Sequence, residues 1–171
     1  GAYDETERKI QNLLEEKKMV LNEKNNIPKD LSLTKDYENT FYAKSPEVYF
    51  GSDRNEFLQN GTPSKKGKQT FLKPPGVVKN KLYLMGEWDI QGDYAKNITS
   101  DARIVFRYEG KAVYFVARSN KPVKITVGRD GNVLESGFGN DVSQDGSVII
   151  QEDRLYKLIE DSAAGEHTIE L

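Results

Sequence analysis

The densest alternation of apolar and polar side chains lies between Arg103 and Arg118, which reads RIVFRYEGKAVYFVAR. Branched and aromatic residues of this kind pack well on a half-buried pleated surface. One face carries Ile104, Phe106 and Tyr108 in the first run and Val113, Phe115 and Ala117 in the second, and the opposite face is also partly apolar. Because Glu109-Gly110 separates the two runs as a short turn signal, the pattern predicts a central β-hairpin.

Similar alternation recurs before and after this segment. Residues 81–90 place Leu82, Leu84, Trp88 and Ile90 on one face, and Tyr83, Met85, Glu87 and Asp89 on the other. Further strands are predicted at Val48–Phe50, 123–127, 147–150, 154–160 and 167–171, with tight turns at Asp130-Gly131 and Asp145-Gly146 and a solvated loop over 59–69. Short strands at close spacing favour an antiparallel β-sandwich over 45–171 rather than a βαβ fold.

The first 44 residues have a different pattern. Asp4 and Glu7 have the spacing of a capping box, and the apolar stripe that follows predicts an amphipathic helix over 1–22. Residues 23–44 lose this periodicity and are rich in Asn, Lys and Ser. Their scattered apolar side chains predict a linker strap that is pinned against the β-domain: Leu31, Leu33, Tyr37, Phe41 and Tyr42.

The composition of the chain limits the functions that it can have. The 171 residues are 36% hydrophobic and 30% charged, with a net charge of −2 from interspersed acids and bases. Taken over the whole chain, this distribution gives no footprint for nucleic acid or for an anionic membrane. No long apolar stretch is present, so no direct membrane insertion is expected. The chain has no cysteine, and thus no disulfide or CxxC dithiol of its own.

Few residues are candidates for catalysis. His167 is the single histidine and has no second histidine or cysteine to complete a metal site, so a position on the surface or at a strand edge is favoured. Glu87 and Asp89 share a strand face, as the two carboxylates of a glycoside hydrolase do. A charge ladder against cations of neighbouring strands is the favoured interpretation of this pair. The predicted cations are Arg103, Arg107, Arg118 and Lys124.

An oxygen-rich loop is a weak candidate for calcium. Asn140, Asp141 and Asp145 lie close together, but the loop lacks the spacing and the bidentate Glu of an EF-hand. We therefore expect no metal and no cofactor.

The aromatic residues indicate a binding surface for sugar or peptide, since flat rings stack and also carry polar edges. Trp88 has the inward register of its strand, so we expect it in the core. Tyrosines that stand outward beside arginines would form a polar-aromatic patch. The candidate binding residues are Tyr83, Tyr94, Arg103, Arg107, Tyr114, Arg154 and Tyr156.

Several motifs resemble one family. They are Ser45–Gly51 with Arg54, the run Leu84–Trp88, the run Gly139–Val142 and the run Arg154–Ile159. These motifs are similar to the C-terminal domain of extracytoplasmic thioredoxin-like proteins of the cytochrome c biogenesis (DipZ) type. Residues 1–14 resemble the last helix of the thioredoxin fold that precedes this domain.

The resemblance implies a jelly-roll-like β-sandwich, similar to carbohydrate-binding modules, that is appended to a thioredoxin-like domain. In such parents the CxxC dithiol lies upstream, and the family pattern continues past 167–171 into one more apolar strand. The implied function is that of a noncatalytic accessory domain in a periplasmic or cell-envelope thiol-disulfide exchange protein. The expected partners are the thioredoxin-like domain of the parent and a substrate protein or glycan. An independent carbohydrate-binding module is the alternative, and a glycoside hydrolase is a more distant one.

Overall fold

The computed structural model describes residues 45–171, which form nine β-strands and no helix. The strands are β1 (Gly67–Phe71), β2 (Leu82–Ile90), β3 (Ala95–Asn97), β4 (Arg103–Ala117), β5 (Val123–Thr126), β6 (Gly128–Arg129), β7 (Asn132–Val133), β8 (Ser147–Ile150) and β9 (Arg154–Glu170). Nothing in this range could cross a membrane as a helix. The helix predicted over 1–22 and the strap predicted over 23–44 lie outside the described residues.

The strands form two antiparallel sheets, which confirms the prediction of a mainly β, antiparallel domain. The larger sheet has the order β1-β2-β4-β9-β6-β7, with β3 beside β2, and β5 pairs with β8 in the smaller one. Val148 and Ile150 of β8 share one buried cluster with Tyr156 and Leu158 of β9, so the two sheets pack on each other. A second cluster contains the predicted inward residues of β2, and Trp88 in it is buried as expected.

The predicted hairpin at Glu109-Gly110 is wrong. β4 continues straight through both residues as one strand of 15 residues. Gly110 does not have the positive φ that a tight hairpin turn requires, and both residues are paired with β9, opposite Gly165 and Glu166. Pairing with a distant strand therefore outweighs the local turn signal.

Three other boundaries also differ from prediction. The stretches 154–160 and 167–171 belong to the single strand β9, and β1 begins at Gly67 inside the predicted loop. Val48–Phe50 is not a strand; instead Phe50 packs edge-on against Phe115 of β4, with ring centroids 6.0 Å apart. The turn at Asp130-Gly131 is confirmed, because both residues have positive φ and connect β6 directly to β7.

Two irregularities shape the larger sheet. Gly86, with φ of 84°, marks the point where β2 leaves β4 and begins to pair with β1. Farther along, Gly110 of β4 faces Gly165 of β9 while Ala112 faces Glu160. One residue of β4 therefore lies opposite the four residues 161–164 of β9, which form a wide bulge.

Candidate functional site

The outer face of the β4–β9 pair carries three adjoining side chains that are exposed and largely apolar, next to charged groups. Val116 lies directly opposite Leu155, and Tyr114 lies directly opposite Lys157. Val116, Leu155 and Tyr114 are 65%, 54% and 52% exposed. The ammonium group of Lys157 lies 5.9 Å from the Tyr114 ring centroid, near the outer limit of a cation–π contact. These four residues are called the ribbon face below.

The ribbon face follows from strand periodicity. Phe115 and Ala117 of β4, and Tyr156 and Leu158 of β9, turn to the other side and pack in or against the core. Their neighbours in sequence must therefore point outward. Val116 and Leu155 are therefore exposed because they occupy outward positions of their strands, while their neighbours in sequence pack in or against the core.

Charged groups border the ribbon face. Arg154 donates to Asp141 at 2.7 Å, and its guanidinium carbon lies 3.9 Å from the Tyr156 ring centroid. The Arg154 hydrogen bond, followed by the one from the Lys157 N–H, lowers the pKa of Asp141 below its ordinary value. Lys157 pairs with Glu160 at 2.5 Å, and this hydrogen bond raises the pKa of Lys157. Both pKa shifts favour the charged forms of Asp141 and Lys157.

The structure separates the seven predicted binding residues. Only Tyr114 lies on the ribbon face. Arg154 directly precedes Leu155, but its guanidinium stacks on Tyr156, which turns to the other side of β9. Tyr156 is 1% exposed and lies beneath Arg154. Tyr83 is 3% exposed, and its hydroxyl accepts a hydrogen bond from the Val78 N–H at 3.1 Å. The expectation that these two rings stand outward is wrong, since both lie on strand positions that another layer or segment covers.

The other three predicted residues lie elsewhere. Tyr94 is 48% exposed in the connection between β2 and β3. Arg103 and Arg107 form cross-strand ion pairs with Glu170 at 2.7 Å and Glu166 at 2.6 Å. The two arginines therefore stabilise the pairing of β4 with β9, and their guanidinium groups are already engaged.

The two carboxylates on β2 are not arranged like those of a hydrolase. Glu87 is exposed and Asp89 is partly exposed on an open sheet face. Asp89 lies opposite Lys68 of β1 on one side and Lys96 of β3 on the other. A charge ladder is therefore present, but its cations are these lysines and not the predicted arginines, since β2 pairs with β4 only as far as Met85.

The calcium hypothesis conflicts with the contacts of its carboxylates. Asp141 is held by Arg154, as described above. Asp145 accepts hydrogen bonds from Lys124 at 2.8 Å and from the Ser147 hydroxyl at 2.6 Å, and these two bonds, with that of Lys124 the larger, lower its pKa to about 2. Within residues 45–171, no group of three or more His, Cys, Asp or Glu side chains is suited to hold a metal.

Sequence reasoning missed a partly buried polar cluster at the β9 bulge. Asp161, the first bulged residue, accepts a hydrogen bond from Arg129 at 2.9 Å, and Arg129 also donates to the Ser136 carbonyl and hydroxyl. Burial, followed by the nearby Asp161 charge, raises the pKa of Tyr108 to about 12. The Tyr108 hydroxyl and the second Asp161 oxygen are buried without a hydrogen-bond partner among the described residues. A β-bulge changes the direction in which side chains point, and the local alternation of residues does not predict where a bulge occurs.

His167 belongs to the same end of the sheet. Its Nδ1 lies 2.7 Å from an oxygen of Asp130, whose other oxygen accepts from the Thr168 N–H at 2.7 Å. Burial acts to raise the pKa of Asp130, but these two hydrogen bonds hold it below its ordinary value. The contacts of Asp130 with His167 and Thr168, together with the Arg129–Asp161 ion pair, hold the β6–β7 hairpin against β9. An open depression of about 430 Å³ lies beside the hairpin, and none of the seven predicted binding residues lines it.

Residues 45–171 thus form an antiparallel β-domain with an exposed apolar face and with ion pairs that stabilise the fold. The family model described as the thioredoxin-like C-terminal domain matches residues 45–171, and the chain belongs to that family.

Two curated relatives bear the same name. They are Protein DipZ of Mycobacterium bovis and Protein DipZ of Mycobacterium tuberculosis, each 30% identical to this chain over 131 residues. The match covers 77% of this chain but 18% of each relative, so the chain spans less than a fifth of their length.

Proposed function

We propose that this chain is a noncatalytic accessory domain of an extracytoplasmic thiol-disulfide exchange protein, and that its ribbon face docks a protein partner. The observation that carries the docking role is the contiguous exposure of Tyr114, Val116 and Leu155, each more than half exposed. Adjoining apolar side chains on a sheet face are typical of interaction surfaces, whereas single exposed ones need no explanation.

The cellular context rests on family membership and on the DipZ relatives. Since this chain has no cysteine, any dithiol chemistry must use cysteines of another domain or protein. A domain of this kind contributes by holding a target near the reactive dithiol, which raises the effective concentration of the target without any chemical step of its own. This proposal places the parent in the periplasm or cell envelope, where disulfides persist.

The types of side chain on the ribbon face favour a protein partner over a glycan. Sugar platforms use flat ring faces with polar edges, but Tyr83 and Tyr156 are buried and Tyr114 alone contributes a ring to the ribbon face. Branched aliphatic side chains such as Val116 and Leu155 instead suit another apolar protein surface. The parent's thioredoxin-like domain and a substrate protein are the two candidate occupants.

The proposal includes the domain division of the chain. An amphipathic helix over 1–22 would end a preceding thioredoxin-like domain, and 23–44 would connect it to the β-domain. The family match starts at residue 45. The Ser45 hydroxyl donates to the Asn80 side chain at 2.6 Å and accepts from the Glu109 N–H at 2.8 Å, which anchors the start of the domain on β4. The jelly-roll-like sandwich is part of the same proposal.

The docking role is tested by titrating the labelled 171-residue chain with the separately produced thioredoxin-like domain of its parent, followed by NMR. We expect shift changes at Tyr114, Val116 and Leu155. The double variant Val116→Ser with Leu155→Ser should bind at least about tenfold more weakly, since truncating buried interface side chains typically costs more than 1 kcal/mol each.

The matched control is Val133→Ser with Ile149→Ser, because these two side chains are equally exposed, at 50%, but lie on β7 and β8. Control binding should equal that of the unmodified chain. If the ribbon variant bound like the control, the docking role of this face would be disproved.

The carbohydrate-binding alternative rests on the exposed ring of Tyr114. It predicts that oligosaccharides shift Tyr114 resonances and that Tyr114→Ala removes this binding, while Val116→Ser leaves it intact. Absence of any sugar-dependent shift at millimolar ligand would eliminate the alternative.

A further inference from the structure

The lysines of the domain are unevenly distributed along the chain. Residues 57–86 contain six lysines and not one Asp or Glu, although the chain as a whole has a net charge of −2. The lysines are Lys65, Lys66, Lys68, Lys73, Lys79 and Lys81. Interspersed charge is therefore a property of the whole sequence and not of this stretch.

Two of these lysines are engaged with carboxylates from other parts of the domain. Lys66 pairs with Asp53 at 3.3 Å, and Lys79 pairs with Glu109 and with Glu166. Lys65, Lys68 and Lys73 are exposed. Lys68 and Lys96 both lie opposite Asp89 of β2, and the exposed Glu87 of β2 lies opposite Thr70 on the same sheet face. Lys65 and Lys73, which flank β1, add positive charge to these two lysines and two carboxylates, so cations are in excess along this edge.

The most exposed large apolar side chain of residues 45–171 lies in the middle of this stretch. Leu72 is 79% exposed just beyond the end of β1, and Val78 is 57% exposed at the other end of the connection to β2. Lys68, Thr70 and Leu72 are exposed while the alternating Phe71 is buried, so Leu72 continues the outward row of Lys68.

The connection 72–78 is held at both ends. The Asn60 side chain donates to the Leu72 carbonyl at 3.0 Å, and the Val78 N–H donates to the Tyr83 hydroxyl at 3.1 Å. Pro74 and Pro75 further restrict the backbone between these two points. The apolar side chains are thus presented from an anchored loop, which lowers the entropy lost on binding.

We propose that the 72–78 loop and the lysines beside it attach the domain to the surface of an anionic phospholipid bilayer. Apolar side chains that enter the headgroup region and lysines that meet anionic lipid are the two signals that a stable peripheral attachment requires. A soluble polyanion would use the lysines but leave Leu72 and Val78 in water, so the exposed apolar pair favours the bilayer. Attachment of this kind needs no membrane-spanning segment.

The test is sedimentation of the 171-residue chain with vesicles of phosphatidylcholine alone or mixed in equal parts with phosphatidylglycerol. Binding should require the anionic lipid and should weaken with added salt. Lys68→Gln with Lys73→Gln should weaken binding roughly 25-fold, since each lysine near an anionic surface contributes about fivefold. Leu72→Ser with Val78→Ser should weaken it roughly tenfold or more through the lost apolar transfer.

Matched controls separate this site from the rest of the surface. Lys111→Gln with Lys121→Gln changes two exposed lysines elsewhere, and Val133→Ser with Ile149→Ser changes two exposed apolar side chains. Both controls should bind vesicles normally. So should the ribbon variant Val116→Ser with Leu155→Ser, so that failure of the docking proposal and failure of this one are distinguishable.

Two results would overturn the proposal. One is equal sedimentation with neutral and anionic vesicles. The other is binding that survives Leu72→Ser with Val78→Ser and is displaced by soluble polyphosphate, which would indicate a general polyanion site instead of a bilayer.

Discussion

Tyr108 and Tyr156 are both buried tyrosines of the larger sheet, but their hydroxyl groups have different surroundings. The Tyr156 hydroxyl donates to the Glu152 carbonyl at 2.8 Å and accepts from the Gln151 N–H at 3.1 Å. The Tyr108 hydroxyl is buried without a partner among the described residues. A buried polar group without a hydrogen bond costs desolvation energy, whereas a satisfied one contributes net stability.

We therefore expect substitution by Phe to have different effects on stability at the two tyrosines. Tyr156→Phe should lower the free energy of unfolding by about 1–3 kcal/mol, because two backbone groups lose their partner. Tyr108→Phe should leave it unchanged or raise it by about 1 kcal/mol. Urea unfolding followed by fluorescence measures both. Equal losses in the two variants would contradict the assignment and show that the Tyr108 hydroxyl is hydrogen-bonded.

Among the elements, β2 changes its partner strand at a glycine, Gly86. A Cβ on Gly86 would lie 3.0 Å from Ala102 Cα and 3.2 Å from Thr99 Oγ1, in addition to requiring a left-handed backbone. Gly67 also has a positive φ, of 95°, but a Cβ there would meet no atom within 4 Å. Gly76 has neither constraint. Comparing substitutions at these three positions therefore distinguishes the effect of steric clash from that of backbone strain.

The corresponding alanine variants should rank in that order. Gly86→Ala should cost about 2–4 kcal/mol through strain and clash, and Gly67→Ala about 1–2 kcal/mol through strain alone. Gly76→Ala should be neutral or stabilising by up to about 1 kcal/mol, since it restricts the unfolded chain. Thermal unfolding gives the ranking. A Gly86→Ala variant as stable as Gly76→Ala would disprove the left-handed backbone and the close contacts at this position.

At the scale of the whole molecule, ion pairs connect segments that are distant in sequence. Glu166 joins Lys79 and Arg107, and these two hydrogen bonds lower its pKa; Asp141 and Asp145 have lowered pKa values for similar reasons. Because each carboxyl binds its proton less tightly in the folded state, protonation favours unfolding. Stability should therefore be complete above the ordinary carboxyl pKa of about 4 and should fall as the pH drops below it.

Asp145 provides the clearest test, since its folded pKa is about 2. Its contribution should be lost between about pH 4 and pH 2, so Asp145→Asn should be less stable at neutral pH and should lose less stability over that interval. Lys124→Gln removes the largest cause of the shift and should move the loss toward pH 4. Urea midpoints at several pH values measure this. An unchanged pH profile in Asp145→Asn would exclude Asp145 as a contributor.

Much of the fold was predictable because strand periodicity is local. Leu82, Leu84, Trp88 and Ile90 are buried as the alternation of β2 predicts. The Asp130-Gly131 turn is also local, since residues that tolerate positive φ specify it. The ribbon face could have been found in the same way, because the pattern RLYKLIE already alternates Leu155 and Lys157 against Tyr156 and Leu158.

The binding residues were less predictable because exposure depends on what covers a strand face. Tyr83 and Tyr114 both occupy positions that alternation assigns to the polar side of a strand, but one is 3% exposed and the other 52%. Tyr83 lies under the 72–78 connection through Val78, whereas nothing in residues 45–171 buries Tyr114 to that extent. A local pattern cannot distinguish these cases.

The amino-acid pattern was enough to specify an antiparallel β-domain without cysteine chemistry and the alternation of side chains along strands such as β2. Both depend on composition and on a two-residue repeat. The tertiary structure alone decided that Glu109-Gly110 continues a strand, that Asp161 turns toward Arg129, and that Val116 meets Leu155 on an open face. Each of these depends on the register between segments far apart in the chain, which no local pattern encodes.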